Sequence, residues 1–211
     1  MGSAHLKAHQ VKEINLIGII LISLLLGMVS GVLAGLFGIG GGLIIVPSLV
    51  FLFTTQGLPT ELVMIMAIAT SLATIILTTS SSLLAHHRLG SVLWDKVFTL
   101  APGIMLGAVI GTVIADNIRT ELLQNIFVVF LWVVGIQMAL GAKPKAGTAS
   151  YSKQVDFLVS GVIGLVSALV GIGGGTLTVP YLAHCRYPMR NAVAIASACG
   201  LPIAVTSTVS Y

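Results

Sequence analysis

Charge is the first thing this chain lacks. Only 8% of its 211 residues are Asp, Glu, Lys or Arg, whereas a soluble domain carries about 25%. The surface of a water-soluble globule of this length needs many charged side chains, so a soluble enzyme is excluded. Disorder is excluded as well, because disordered chains combine low hydrophobicity with high charge. Aromatic residues are sparse at 6%, which argues against an outer-membrane barrel with its alternating strands and aromatic girdles. Two cysteines, Cys185 and Cys199, make neither a disulfide framework nor a CxxC metal site. The net charge is +4, but the basic residues are scattered among short loops without interleaved aromatics, so no nucleic-acid partner is expected.

What is abundant is apolar. Hydrophobic residues make up 56% and mean hydropathy is +1.08. The expected fold class is all-α: a polytopic helical membrane protein whose first partner is the lipid bilayer. Crossing the hydrocarbon takes about 20 apolar residues. Apolar stretches run over 14–53, 62–84, 97–115, 122–140, 157–183 and 191–211. The first is too long for a signal peptide, and further spans follow it. A polar linker at 141–156 separates a first membrane unit, 1–140 with a short N-terminal tail, from a second, 157–211.

The two units repeat each other. Gly31–Pro47 contains Gly38-Ile-Gly40-Gly41-Gly42 followed by Val46-Pro47, and 133 residues later Gly171-Ile-Gly173-Gly174-Gly175 is followed by Val179-Pro180. The match continues more weakly from Ala69-Thr70-Ser71 to Ile195-Ala196-Ser197. Each glycine cluster interrupts an apolar stretch, and adjacent glycines destabilise a helix by roughly 1 kcal/mol each. A shaped break with a half-helix after it is therefore expected. Leu43 to Phe53 would give only about 16 Å of helix, half a span. Broken helix in hydrocarbon is tolerated where protein or a water-filled cavity covers it. A repeat with interrupted helices points to a transporter whose site lies at the paired breaks. Freed N–H groups and helix N-termini there would favour an anion.

The candidate substrate-binding residues are Gly38, Gly40, Gly41, Gly42, Thr70, Ser71, Gly171, Gly173, Gly174, Gly175, Thr176 and Ser197, with Thr178 beside them. Thr70, Ser71 and Ser197 enter because they occupy matched positions in the two units. Other glycines have a plainer explanation. Gly27, Gly31 and Gly35, and Gly103, Gly107 and Gly111, have the GxxxG spacing of helix packing. Neither glycine cluster completes GxGxxG, and neither is followed by Lys-Ser or Lys-Thr, so nucleotide binding is not expected. No charged residue lies centrally in an apolar stretch, which speaks against a pump with a buried carboxylate. His86 and His87 would find only His184 as a further metal ligand, so they read as an interfacial loop. There is no Ser-His-Asp order, no HExxH and no carboxylate pair. No enzyme activity, cofactor or metal is expected.

Orientation depends on the glycine breaks. If each interrupted stretch crosses once, the N-terminus, the 85–96 loop and the 141–156 linker share the basic, cytoplasmic side. If each crosses twice, that parity changes.

The duplicated motif resembles the TauE/SafE family of membrane permeases, also called the sulfite exporter or toluene-sulfonate uptake family. The resemblance rests on Gly35–Pro47, its copy ending in Val179-Pro180, and Ala69-Thr70-Ser71-Leu72, and it covers about 15–211. It implies transport of small anions such as sulfite or sulfonates, in the bacterial inner (plasma) membrane. Ala196-Ser197-Ala198-Cys199 departs from the family's Thr-Ser-Leu element. By the measure of the first repeat, the second lacks two spans at Tyr211. A second copy of the chain or a partner would then supply them, and a non-transporting scaffold or assembly subunit is the alternative function.

Overall fold

A computed structural model describes residues 42–139 and 152–211, with nine helical residues ahead of them at positions 18, 21, 24, 25, 27–29, 31 and 32. The described residues contain no strand. Seven helices follow one another: α1 (Gly42–Thr55), α2 (Thr60–Arg88), α3 (Trp94–Asn117), α4 (Thr120–Ala139), α5 (Lys153–Val170), α6 (Gly175–His184) and α7 (Met189–Ser210). Five of them, α2 to α5 and α7, are long and apolar enough to cross a membrane. Outward positions are apolar too. Leu77, Phe98, Trp132, Leu158 and Val209 are exposed, a surface that suits lipid and would aggregate in water.

The ends of the helices sort onto two faces. On one face, Arg190 Nε donates to Ser91 Oγ at 2.6 Å and Asn191 Nδ2 to the Ser91 carbonyl at 3.1 Å, tying the start of α7 to the α2–α3 loop. Lys96 at the start of α3, Asp156 at the start of α5 and Tyr181 near the end of α6 meet on the same face. On the other face, Thr120 Oγ1 donates to the Glu61 carbonyl at 2.6 Å, joining the starts of α4 and α2. From the end of α7, the Tyr211 hydroxyl reaches inward to the Ala168 carbonyl near the end of α5. The first face carries Arg88, Lys96, Lys153, Arg186 and Arg190, and the second Arg119. The positive-inside rule therefore predicts that the first face is cytoplasmic.

This arrangement decides the parity of the second interrupted stretch. α5 leaves the cytoplasmic face, the chain breaks at Gly171–Gly174, and α6 returns to the same face. The stretch is a re-entrant hairpin, so a single crossing, one of the two possibilities compatible with the sequence, does not occur there. The physical reason is length. α6 has ten residues, about 15 Å of helix, enough to go from the middle of the bilayer to one face but not across.

α3 and α5 form a tightly joined parallel pair. A Cβ at Gly103, Gly107 or Gly111 would collide with the α5 backbone at Phe157, Gly161 and Leu165, and one at Gly164 would collide with Ile104. Glycine at these positions lets two backbones touch, which is how membrane helices gain packing without a hydrophobic driving force. Gly27 and Gly31 share the spacing but not the outcome, since a Cβ on either meets no atom within 4 Å. Residues read from hydropathy as the end of the linker, Lys153–Asp156, belong instead to α5. The Ser152 side chain caps that helix, accepting from Val155 N–H at 3.4 Å, and charged first turns are natural at an interface.

Candidate functional site

The two glycine segments meet. A Cβ on Gly42, the last glycine of the first cluster, would stand 2.6 Å from the Gly171 carbonyl oxygen and 2.8 Å from Ile172 Cα. Gly171 ends α5 in the left-handed conformation (φ 72°), and Ile172 N–H donates back to the Ser167 carbonyl at 3.0 Å, the usual glycine helix stop. A side chain there would be strained and would press on Ile68 and Val46 at 3.1–3.2 Å. Gly173 lies against Ile75, and Gly174 against Ala196, Gly200 and Ile203. Ile75 and Ala196–Ile203 occupy the middle reaches of α2 and α7, and Ile68 lies nearer the start of α2, so the break sits inside the bundle, away from the helix ends. Gly38, Gly40 and Gly41 lie outside the described residues.

From this point the half-helices diverge. α1 runs from Gly42 to the α2 start on the non-cytoplasmic face, whereas α6 runs from Gly175 to the cytoplasmic face. α2 and α7, which follow them, are likewise antiparallel: Ser82 Oγ lies 2.9 Å from Ser197 Oγ, and Gly200 lies against Thr79. The sequence repeat is therefore folded with inverted topology, and Pro47 and Pro180 hold the same sixth position in α1 and α6. No side chain caps the N-terminus of α6. Two half-helix N-termini placed back to back at mid-depth put the positive ends of their dipoles in one region.

The other candidates divide. Ser71 is fully buried and donates to the Gly171 carbonyl at 2.9 Å, crossing from the first repeat to the second. Ser197 shares a hydrogen bond with Ser82 and donates to its own helix at the Val193 carbonyl. Thr70 is exposed and donates to the Met66 carbonyl at 2.7 Å, within its own helix. It does not join the others, because adjacent helical positions point about 100° apart. Gly175 starts α6, and Thr176 is buried one position on. Thr178, also on α6, is fully buried and its Oγ1 has no hydrogen-bond partner, an unusual cost for a hydroxyl inside a protein.

A polar cluster that the sequence did not announce lies at the cytoplasmic end of α6. Asp156, 3% exposed, accepts from Lys96 Nζ and from the Tyr181 hydroxyl, each at 2.5 Å. The ammonium also lies 5.7 Å from the Tyr187 ring centroid. Sequence reading passed over it because each member sits in a separate interfacial turn. One signal was available: Asp156 is the sole carboxylate side chain after Glu121. Among the described residues no group of three or more His, Cys, Asp or Glu could hold a metal ion.

Five helices long and apolar enough to cross a membrane, inverted repeats and a broken-helix centre define an integral membrane protein of the transporter class. Residues 23–211 match the sulfite exporter TauE/SafE family, and the chain belongs to it. A probable membrane transporter protein of Haemophilus influenzae is 36% identical over 91% of this chain and 73% of its own length. One of Methanocaldococcus jannaschii is 32% identical over 82% of this chain and 64% of its own. The probable membrane transporter protein YunE of Bacillus subtilis is 30% identical over 90% and 77%. No solved structure matches. The relatives carry transporter names, so they give no support to the scaffold alternative. Helical spans and bacterial relatives fit the inner membrane.

Proposed function

We propose that this transporter moves small anions, sulfite or sulfonates among them, by alternating access between its two inverted repeats. The substrate site is the paired glycine segments. The observation that carries this reading is the contact of Gly42 with Gly171 and Ile172, which brings the two breaks together at mid-depth. Among the described residues no Lys or Arg faces that region, whose named neighbours are Ile68, Ile75, Val46 and Ile203. Recognition therefore falls to backbone N–H groups at the half-helix N-termini and to hydroxyls, with Thr178 the hydroxyl best placed to want a ligand. Gly38, Gly40 and Gly41 complete the proposed site from the first repeat.

The test is flux of sulfite and of organic sulfonates in proteoliposomes. Gly173→Ala is the informative variant, because its new methyl meets first the Ile75 Cγ2 methyl at 3.1 Å, a side chain that can yield. It should reduce flux at least tenfold while the purified protein stays monodisperse. Thr178→Val, of similar shape without the hydroxyl, should weaken substrate affinity. Unchanged flux in both variants overturns the site; absence of flux for every anion tried in the unmodified protein overturns the substrate class.

A further inference from the structure

We propose that Asp156, with Lys96 and Tyr181, is a latch that holds the cytoplasmic end of α6 shut, so that the glycine break opens to the cytoplasm only when the latch parts. This rests on the alternating-access reading above. The three residues come from three helices that are held in different ways. Lys96 and Asp156 stand at the starts of α3 and α5, and those two helices are joined by direct backbone contact at Gly103, Gly107, Gly111 and Gly164. They form one stiff body, because glycine-mediated backbone contact leaves no side chain to rearrange. α6 is a ten-residue half-helix, anchored at one end by the break. At its other end the Tyr181 hydroxyl is bound to Asp156 Oδ1. One carboxylate thus bridges the stiff pair and the half-helix that carries the proposed site.

The chemistry makes such a bridge switch-like. An ion pair this buried resists partial separation: removing either partner leaves an uncompensated charge in a poor solvent. The groups facing Asp156 are Lys96 from α3, Tyr181 from α6, and Cys185 just beyond α6, while Tyr187 flanks the ammonium. Arg190 is engaged elsewhere, with Ser91 and the Leu89 carbonyl. The first repeat has no equivalent. At the same 133-residue offset Asp156 corresponds to Ser23 and Tyr181 to Ser48, so the latch belongs to one side of the membrane. Asp156 and Lys96 act here as positioning residues, through α6 and not by touching substrate.

The molecule carries its own reporters. Cys185 is 1% exposed beside the latch, and Cys199 is fully buried inside α7. Burial pushes the Cys185 thiol up, which together with enclosure keeps it slow to react. In inverted membrane vesicles holding the full chain, a membrane-impermeant polyethylene-glycol maleimide should label Cys185 at least tenfold faster in Asp156→Asn than in the unmodified protein. Tyr181→Phe, which removes one oxygen, should give a smaller acceleration, about threefold. Asp156→Glu, which keeps the carboxylate, should stay within about twofold of the unmodified rate. Cys199 should remain unlabelled throughout. Protection of Cys185 in both Asp156→Asn and Tyr181→Phe overturns the latch, and so does labelling of Cys199 alongside Cys185, which would mean general loosening. Flux unchanged in both Gly173→Ala and Thr178→Val while the labelling pattern holds would remove the site but leave the latch standing.

Discussion

α1 and α6 begin alike, with Gly42-Leu-Ile-Ile-Val-Pro47 in one and Gly175-Thr-Leu-Thr-Val-Pro180 in the other, yet they are bedded differently. α6 buries Thr176, Thr178, Val179 and Leu182 and is tied at its far end to Asp156. α1 buries only Gly42 and Val46, packs chiefly on α2, and leaves Phe51 72% exposed. The difference goes with two substitutions at matched positions. Where the helix is enclosed by protein, hydroxyls stand at 176 and 178; on the more open copy the same positions hold Leu43 and Ile45. A repeat can share its break and its proline while assigning polar work to one copy, because a hydroxyl freed from its own helix is costly in an apolar setting unless a partner meets it.

That asymmetry can be tested at graded strength. The largest effect is expected where the copies touch backbone to backbone. Gly42→Val drives a branched side chain into Gly171 and Ile172 and should cost about 3 kcal/mol or more, read as loss of monodisperse protein or a melting midpoint lowered by many degrees. Next is Gly171→Ala. Its φ of 72° and its contacts with Ile68 and Val46 predict about 1–2 kcal/mol of destabilisation, whereas Gly31→Ala, with nothing within 4 Å, should not lower the melting midpoint. Ser71→Ala deletes the hydrogen bond that crosses to the Gly171 carbonyl and should cost about 1 kcal/mol. Smallest is Ser48→Ala, at the position matching Tyr181. Its hydroxyl bonds only the Ile44 carbonyl of its own helix at 2.8 Å, so a change within about 0.5 kcal/mol is expected. Equal melting midpoints for Ser71→Ala and Ser48→Ala would break the distinction between bonds that join the copies and bonds that stay within one helix.

Much of the fold was legible because its signals are local. Runs of apolar residues announce spans, and the duplicated Gly-Ile-Gly-Gly-Gly with Val-Pro announces paired breaks followed by half-helices. α6 at ten residues is such a half-helix. The residues of the candidate site are brought together in part. Ser71 and Gly171 were named from sequence and are hydrogen-bonded to each other. Thr70 was named on the same grounds, but one step along a helix turns a side chain by about 100°, and it points outward. The spacing of Gly103, Gly107 and Gly111 looks like that of Gly27 and Gly31, yet only the first three press against a neighbouring backbone. Spacing gives a helix a smooth face and does not supply the helix that uses it.

Sequence alone determined that this protein lives in a membrane, that it is helical, and that it is built on a repeat broken by glycine, since solvation and backbone entropy act residue by residue. Tertiary structure alone decided that α6 turns back to the face α5 came from, that the repeat is therefore inverted, and that Lys96, Asp156 and Tyr181 share one buried point. Those facts depend on where three separate helices end in space, and no local preference of a chain encodes the meeting of residues 60 and 85 positions apart.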